Sequence, residues 1–379
     1  MTPAPPVGTA ICGLGSVTSI GGSPDACFDA LLHGRTGLAP LRVFDPDRYN
    51  VTSAYEVDDR PDRTDRPGRA GDLLVTAVRQ AAEQAGLDDL TDVPVLVGTG
   101  LREQRTAELA WAARTTVDPD RLHFGGVLGD ELGARDVHTF SNACSASLYA
   151  LALGADLVEG GAPDVVVAGV DVLTASMVGL LDRVHADPPD RVRPFDSDRK
   201  GVVLGEGAAA VVLSRRRPAL ARLSAVALGC DAFHVTAPDP LGIERTIRAG
   251  HEASGVDAVD VDVVYAHGTG TVLNDQAEAQ ALALVFGNGD CGPAIAAVKG
   301  ATGHTSGGSG LFSLVMAVLG LQHGRVPGIS GLRAVHQAAR GLGVSALPRQ
   351  LPGHSVVQVN AFGFGGLNAV AMLQRADTR

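Results

Sequence analysis

Short apolar runs bounded by glycine, proline and small polar residues alternate along this chain with longer stretches of helical period, and that alternation predicts an α/β protein. The runs at 10–14, 95–98, 137–141, 164–170 and 208–213 read as strands, and those at 261–266, 294–298, 356–360 and 369–373 read as a second set. Ser23 followed by Pro24 supplies an N-cap and a first-turn proline for a helix that ends near Gly34. Further helices are expected over 72–86, 144–159, 275–286 and 309–322, the second of these stopped by Gly160-Gly161. The segment 214–220, SRRRPAL, reads as a linker, which divides the chain into an N-terminal half at 1–214 and a C-terminal half at 221–379. The halves carry similar element patterns but no residue-level repeat, and 101–131 is polar, irregular and without an assignable period.

Composition narrows the class. A chain of 379 residues with 45% hydrophobic and 19% charged positions buries a large core, and 48 glycines call for many tight turns or close backbone contacts. A net charge of −11 argues against a nucleic-acid partner, because phosphate neutralisation needs a surplus of lysine and arginine. The first residues, MTPAPPVGTA, lack the charged and apolar regions of a signal peptide, and no run of about 18 apolar residues is long enough to span a bilayer, so the chain reads as cytosolic. Cys12, Cys27, Cys144, Cys230 and Cys291 are scattered, without CxxC pairs or the density of a disulfide scaffold.

Four stretches carry candidate chemistry. Cys144, in SNACSAS, stands between a strand and an apolar helix, where a helix N-terminus favours thiolate and lowers the thiol pKa; a buried, inert cysteine fits the position equally. His267 opens HGTGT directly after a strand, with glycines that admit a ligand and threonine hydroxyls that hold a polar arm, although a surface-turn histidine reads the same way. His304, in KGATGHT, lies between a strand and a glycine-rich helix start; metal binding is the rival for the two imidazoles, but no HxH, HxxxH or carboxylate set accompanies them. Near the C-terminus, NAFGFGG forms a turn between two strands whose amides are candidate oxyanion donors, and a plain hairpin explains its glycines but not Phe362 and Phe364.

Together these stretches resemble the β-ketoacyl synthases of type II fatty-acid and polyketide pathways, within the thiolase-fold condensing enzymes. The likeness extends to ICGLGSVT at 11–18, RPFDSDR at 193–199, GEGA at 205–208 and Asn274-Asp275 with Glu278. It implies a five-layered αβαβα subunit of two pseudo-symmetric halves, assembled as a homodimer or as a heterodimer with a ketosynthase-like subunit. By the same resemblance Cys144 is the acylated nucleophile. His267 and His304 support decarboxylation of a malonyl thioester, and Lys299 orients the site. The amides of Cys144 and Phe364 form the oxyanion hole, with Phe364 as a gate and Phe362 lining the pocket. Thr269 and Thr271 hold the phosphopantetheine arm of an acyl carrier protein, and no metal or redox cofactor is implied.

The sequence departs from the family at several points. The segment leading to Cys144 is reduced to the 121–136 region, and Val202, Val272, Ser313 and Leu367 replace the usual phenylalanine, proline, glutamate and threonine. These changes point to a specialised synthase or an unusual nucleophile rather than to housekeeping fatty-acid elongation. Arg60, Arg63, Arg66 and Arg69 form the candidate carrier-docking patch, interleaved with Asp58, Asp59, Asp62 and Asp65, and a solvated charged loop fits the segment equally. Two other readings stand beside decarboxylative condensation: transfer of the acyl group to another nucleophile, as in an acyltransferase or cyclase, and a non-catalytic partner resembling a chain-length factor.

Overall fold

The computed structural model describes residues 8–60, 64–184, 187–289 and 292–376; Asp62, Arg63 and Cys291 lie outside the described residues. Ten strands carry the site: β1 (Thr9–Thr18), β2 (Val95–Gly98), β3 (Val137–Phe140), β4 (Asp164–Asp171), β5 (Gly207–Ser214), β6 (Ala221–Cys230), β7 (Val263–Tyr265), β8 (Ala294–Ala296), β9 (Val356–Gly363) and β10 (Leu367–Arg375). The first five run in the order β1-β5-β4-β2-β3, and the second five repeat it as β6-β10-β9-β7-β8. Pair directions repeat as well, with antiparallel β1–β5 and β4–β5 matched by β6–β10 and β9–β10. Parallel β2–β4 and β2–β3 are matched by β7–β9 and β7–β8. A short antiparallel contact, Thr9–Ile11 against Ala221–Leu223, joins the sets into one sheet, and Gly343–Val344 adds an edge strand beyond β8.

Burial on both faces explains why the strands read as continuous apolar runs rather than as an alternation. Along β4, Val165 and Val167 point into the central cluster while Val166, Ala168 and Val170 point into an outer one, and β5 divides its residues the same way. The outer layer of the first half is α1 (Arg69–Ala85), laid on β1, β5 and β4. Two helices fill the middle, α2 (Ala146–Glu159) and α4 (Ser309–His323), each in contact with strands of both halves. α4 is buried on every side, which accounts for a segment apolar all round. On the far side α3 (Pro240–Ser254) covers β6 and β10.

Most expected elements lie within a few residues of their observed positions. The helix after Ser23 spans Pro24–Leu32, with the Ser23 side chain accepting from Ala26 N as an N-cap. The 101–131 stretch without a period holds two helices, Gln104–Ala112 and Gly125–Leu132, each burying one residue, so neither has an apolar stripe to announce it. β6, α3 and the helix Ala175–Val184 also went unread in the sequence; all three are partly exposed and mix polar with apolar positions.

Candidate active site

The repeat of the fold assembles the site. In each half the third strand runs into a turn that feeds a central helix: β3 leads through a 3₁₀ turn, Ala143–Ser145, into α2, and β8 leads through Lys299–Thr302, His304 and a 3₁₀ turn, Ser306–Gly308, into α4. Cys144 and His304 therefore both lie in the connection between the third strand and the central helix of their own half. The two helix starts touch, since Ser147 Oγ accepts from Leu311 N at 3.1 Å. A Cβ on Gly169 would lie 2.9 Å from Gly308 Cα, an approach that only glycine permits. Both turns hold a non-glycine residue at positive φ, Ala143 at 49° and Ser306 at 42°, a strained conformation of the kind that clusters at functional sites.

The three groups converge. His304 Nε2 is 3.1 Å from Cys144 Sγ, and the rings of His267 and His304 meet edge-on with centroids 5.6 Å apart at 85°. Lys299, 2% exposed, donates to the His267 carbonyl and lies 3.4 Å from His267 Nδ1. With Nδ1 facing a donor, the hydrogen of neutral His267 sits on Nε2. Glu278 fixes the start of this loop, accepting from His267 N at 2.7 Å, Gly268 N at 2.8 Å and Asn360 Nδ2 at 3.2 Å.

Burial sets the charges. Desolvation, reinforced by the positive charge of Lys299, holds both histidines well below the ordinary imidazole range, and His267 is lowered further by His304. Desolvation also draws Lys299 down to about 8, with the Glu278 carboxylate pulling the other way. The expected thiolate at Cys144 is not what the structure supports. Burial pushes the thiol up to about 11; Lys299 lowers it and Asp171 raises it. The α-helix begins only at Ala146, so Cys144 sits in the preceding 3₁₀ turn. Part of its surface stays open to solvent, as a nucleophile needs.

The remaining expected residues surround this centre. Phe362 is buried, with its ring 5.7 Å from that of His267. Phe364, 58% exposed, stands in the turn between β9 and β10. The hairpin is pressed onto the Cys144 turn at Gly363, where a Cβ would be 3.0 Å from Ser145 Oγ and 3.3 Å from Asn142 O. Thr269 and Thr271 share a hydroxyl contact of 3.0 Å, and Thr271 Oγ1 accepts from Asn274 N as the N-cap of the helix Val272–Phe286.

The arginine patch is different from the reading of the sequence. Arg60 is nearly buried, its Nη2 3.0 Å from carboxylate oxygens of Glu56 and Glu206. Arg69 is buried against Glu206 at 2.8 Å and Asp59 at 2.9 Å. Two of the three described arginines thus serve an internal ion-pair network, and Arg66 alone among them stays at the surface, paired with Asp72. Asp171, another buried carboxylate beside the site, escaped the sequence reading; its one signal is a charge ending an otherwise apolar strand, DVVVAGVD.

Two family models divide the chain between them: residues 8–219 match the β-ketoacyl synthase N-terminal domain and 220–333 the β-ketoacyl synthase C-terminal domain. The chain belongs to the β-ketoacyl synthase family. It is a condensing enzyme of the acyltransferase type, with the thiolase fold of that family. Among its relatives is nodulation protein E of Rhizobium meliloti, 32% identical over 95% of this chain and 97% of that protein. Another is 3-oxoacyl-acyl-carrier-protein synthase 2 of a Synechocystis species, 29% identical over 96% and 97%. A solved structure described as the ishigamide ketosynthase/chain length factor is 30% identical, covers 99% of this chain and 100% of its own, and superposes with a TM-score of 0.88. No helix among the described residues is long and apolar enough to cross a membrane.

Proposed function

We propose that this ketosynthase joins an acyl group held on Cys144 to a malonyl-type thioester on an acyl carrier protein by decarboxylative Claisen condensation, within a specialised polyketide or fatty-acid-like pathway. The observation that carries the reading is the 3.1 Å contact between Cys144 Sγ and His304 Nε2 beside a second imidazole. Both partners of that contact are neutral at physiological pH, so the thiol proton passes to Nε2 as sulfur attacks the acyl thioester. The carrier thiol leaves with that proton, and Cys144 holds the acyl chain.

A malonyl thioester then enters. Its carbon–carboxylate bond breaks to release carbon dioxide, and the electron pair forms an enolate whose oxygen meets the N–H of His267 and the His304 ring. Neutral imidazoles suit this step, because they donate without protonating the carbon nucleophile. The enolate carbon attacks the acyl-Cys144 carbonyl; the tetrahedral oxygen is stabilised by the amides of Cys144 and Phe364. The carbon–sulfur bond breaks and the thiol recovers one proton. Thr269 and Thr271 hydrogen-bond the phosphopantetheine arm, Phe364 gates the entrance, and Lys299 orients His267. A second ketosynthase-like subunit, identical or not, completes the assembly, a reading supported by the ketosynthase and chain length factor named together in the relative of known structure.

The test is carbon dioxide. Enzyme charged with an acyl group and mixed with malonyl-carrier labelled in the free carboxylate releases label in step with 3-oxoacyl product, and Cys144→Ala forms no product. Acylation without label release would assign the acyl transfer to another nucleophile. Pathway output unaffected by Cys144→Ala would assign a chain-length-factor role.

A further inference from the structure

Asp171 closes β4, and the condensation chemistry above leaves it without a part. Its carboxylate is buried, and no ion pair among the described residues includes it. It gathers donors from two separate segments. Oδ1 accepts from Thr99 Oγ1 and Leu101 N, each at 2.8 Å; Oδ2 accepts from Gly100 N at 2.8 Å and from Gly307 N at 2.6 Å. The first three donors follow β2, and the fourth lies in the turn that carries His304 into α4. Thr99 extends the cluster, its Oγ1 accepting from Arg102 N at 2.8 Å. The segments are packed so tightly that a Cβ on Gly307 would fall 2.5 Å from the Thr99 carbonyl carbon. Ser306, the residue before Gly307, is the strained one at φ 42°.

A carboxylate without a cation is costly to bury unless its hydrogen bonds are strong, and charge-assisted bonds to backbone N–H groups are of that kind. Here they clamp the His304 turn of one half to the β2 and β4 ends of the other. The same anion acts on the nucleophile. Cys144 has His304 in contact and two charges near enough to shift it: Lys299 lowers its thiol pKa and Asp171 raises it.

We propose that Asp171 is a positioning residue for acyl transfer: it fixes the Ser306–Gly308 turn so that His304 meets Cys144. Its charge, opposing Lys299, adds to the burial that keeps the thiol neutral. The part concerning acyl transfer rests on the proposed function; the part concerning the thiol does not. These two roles pull in opposite directions when the charge is removed, which separates the proposal from simple loss of structure.

The experiment uses the full chain carrying Cys230→Ser, which removes the one exposed thiol among the described residues, and follows alkylation of Cys144 by iodoacetamide from pH 6.5 to 10.5 with peptide mass readout. Asp171→Asn moves the alkylation profile to lower pH, so that the reaction at pH 8 is faster than in the parent. The same variant slows acyl uptake from an acyl thioester by about tenfold or more. Thr99→Val keeps the charge and removes one donor: its alkylation profile stays with the parent while acyl uptake slows several-fold. A folded Asp171→Asn variant whose profile stays in place, or rises, overturns the proposal, as does one in which alkylation and acyl uptake slow together. Should Asp171→Asn fail to fold, Thr99→Val decides: acyl uptake equal to the parent overturns the clamp. If the parent takes up no acyl group at all, the proposed function fails, and the alkylation profile of Asp171→Asn still decides the charge effect.

Discussion

The protonation state of Cys144 separates two ways of making this nucleophile, and it can be read without substrate. Burial raises the thiol from 9.0 to about 11, which corresponds to about 3 kcal/mol of preference for the neutral form. At pH 7.5 roughly one molecule in 3,000 then carries thiolate at this position, against roughly one in thirty for a thiol at 9.0. Alkylation of Cys144 in the Cys230→Ser protein should therefore be about two orders of magnitude slower than that of a free thiol at pH 7.5. It should climb about tenfold per pH unit to pH 10 without a plateau. His304→Ala leaves the upper end of that profile in place, because hydroxide rather than imidazole removes the proton there. It slows acyl uptake at pH 7.5 by a factor on the order of 100 to 10,000, the usual contribution of a positioned base. An alkylation plateau near pH 7, abolished by His304→Ala, would mean a preformed thiolate–imidazolium pair and would refute the neutral pair.

Other consequences can be checked separately. Glu278→Ala strands the amides of His267 and Gly268 and leaves Lys299 without its buried counterion, so urea unfolding should show a loss of about 3–5 kcal/mol; a loss below 1 kcal/mol would contradict the role given to Glu278. Lys299 has a folded pKa of about 8 against 10.5, so the unfolded chain holds more protons between those values and stability rises with pH across that window. The unfolding free energy of Cys144→Ala minus that of Cys144→Ala/Lys299→Met should grow by about 3 kcal/mol from pH 7.5 to 10.5, and a flat difference would contradict the shift. His267 and His304 stay neutral to well below pH 6.5, so condensation should hold its rate down to pH 6; a fall centred near pH 7 would contradict the depression. Gly363→Ala crowds Ser145 and Asn142, and should cut turnover at least tenfold with little change in Tm; unchanged turnover would sink the hairpin's part in shaping the nucleophile turn.

What the sequence revealed, and what it concealed, follows from burial. Strands such as β4 and β5 are covered on both faces, so their apolar runs stand out; β6 is half exposed, and the helices Gln104–Ala112 and Gly125–Leu132 bury so little that no stripe marks them. His267 and His304 were legible because each sits where a strand gives way to a glycine-rich turn, and Cys144 because its strand gives way to a turn of small residues, SNACSAS. Their meeting in one centre came from the family resemblance, since nothing local brings positions 123 and 37 residues apart together. The thiol pKa was misjudged because a helix N-terminus can be read from a pattern, whereas desolvation by distant packing cannot. Arg60 and Arg69 look like surface charges in sequence, and only the fold shows them neutralising Glu56 and Glu206 inside the protein.

Site-resolved mass spectrometry of the trapped intermediate reaches the central claim most directly. Purified enzyme exposed to an acyl-carrier thioester and digested at low pH should carry the acyl mass on the peptide containing Cys144 and on no other cysteine, and that mass should vanish when malonyl-carrier is added before quenching. An acyl mass on Cys12, Cys27, Cys230 or Cys291, or one on Cys144 that persists after malonyl-carrier is supplied, would contradict the assignment of Cys144, His267 and His304 as one condensing centre.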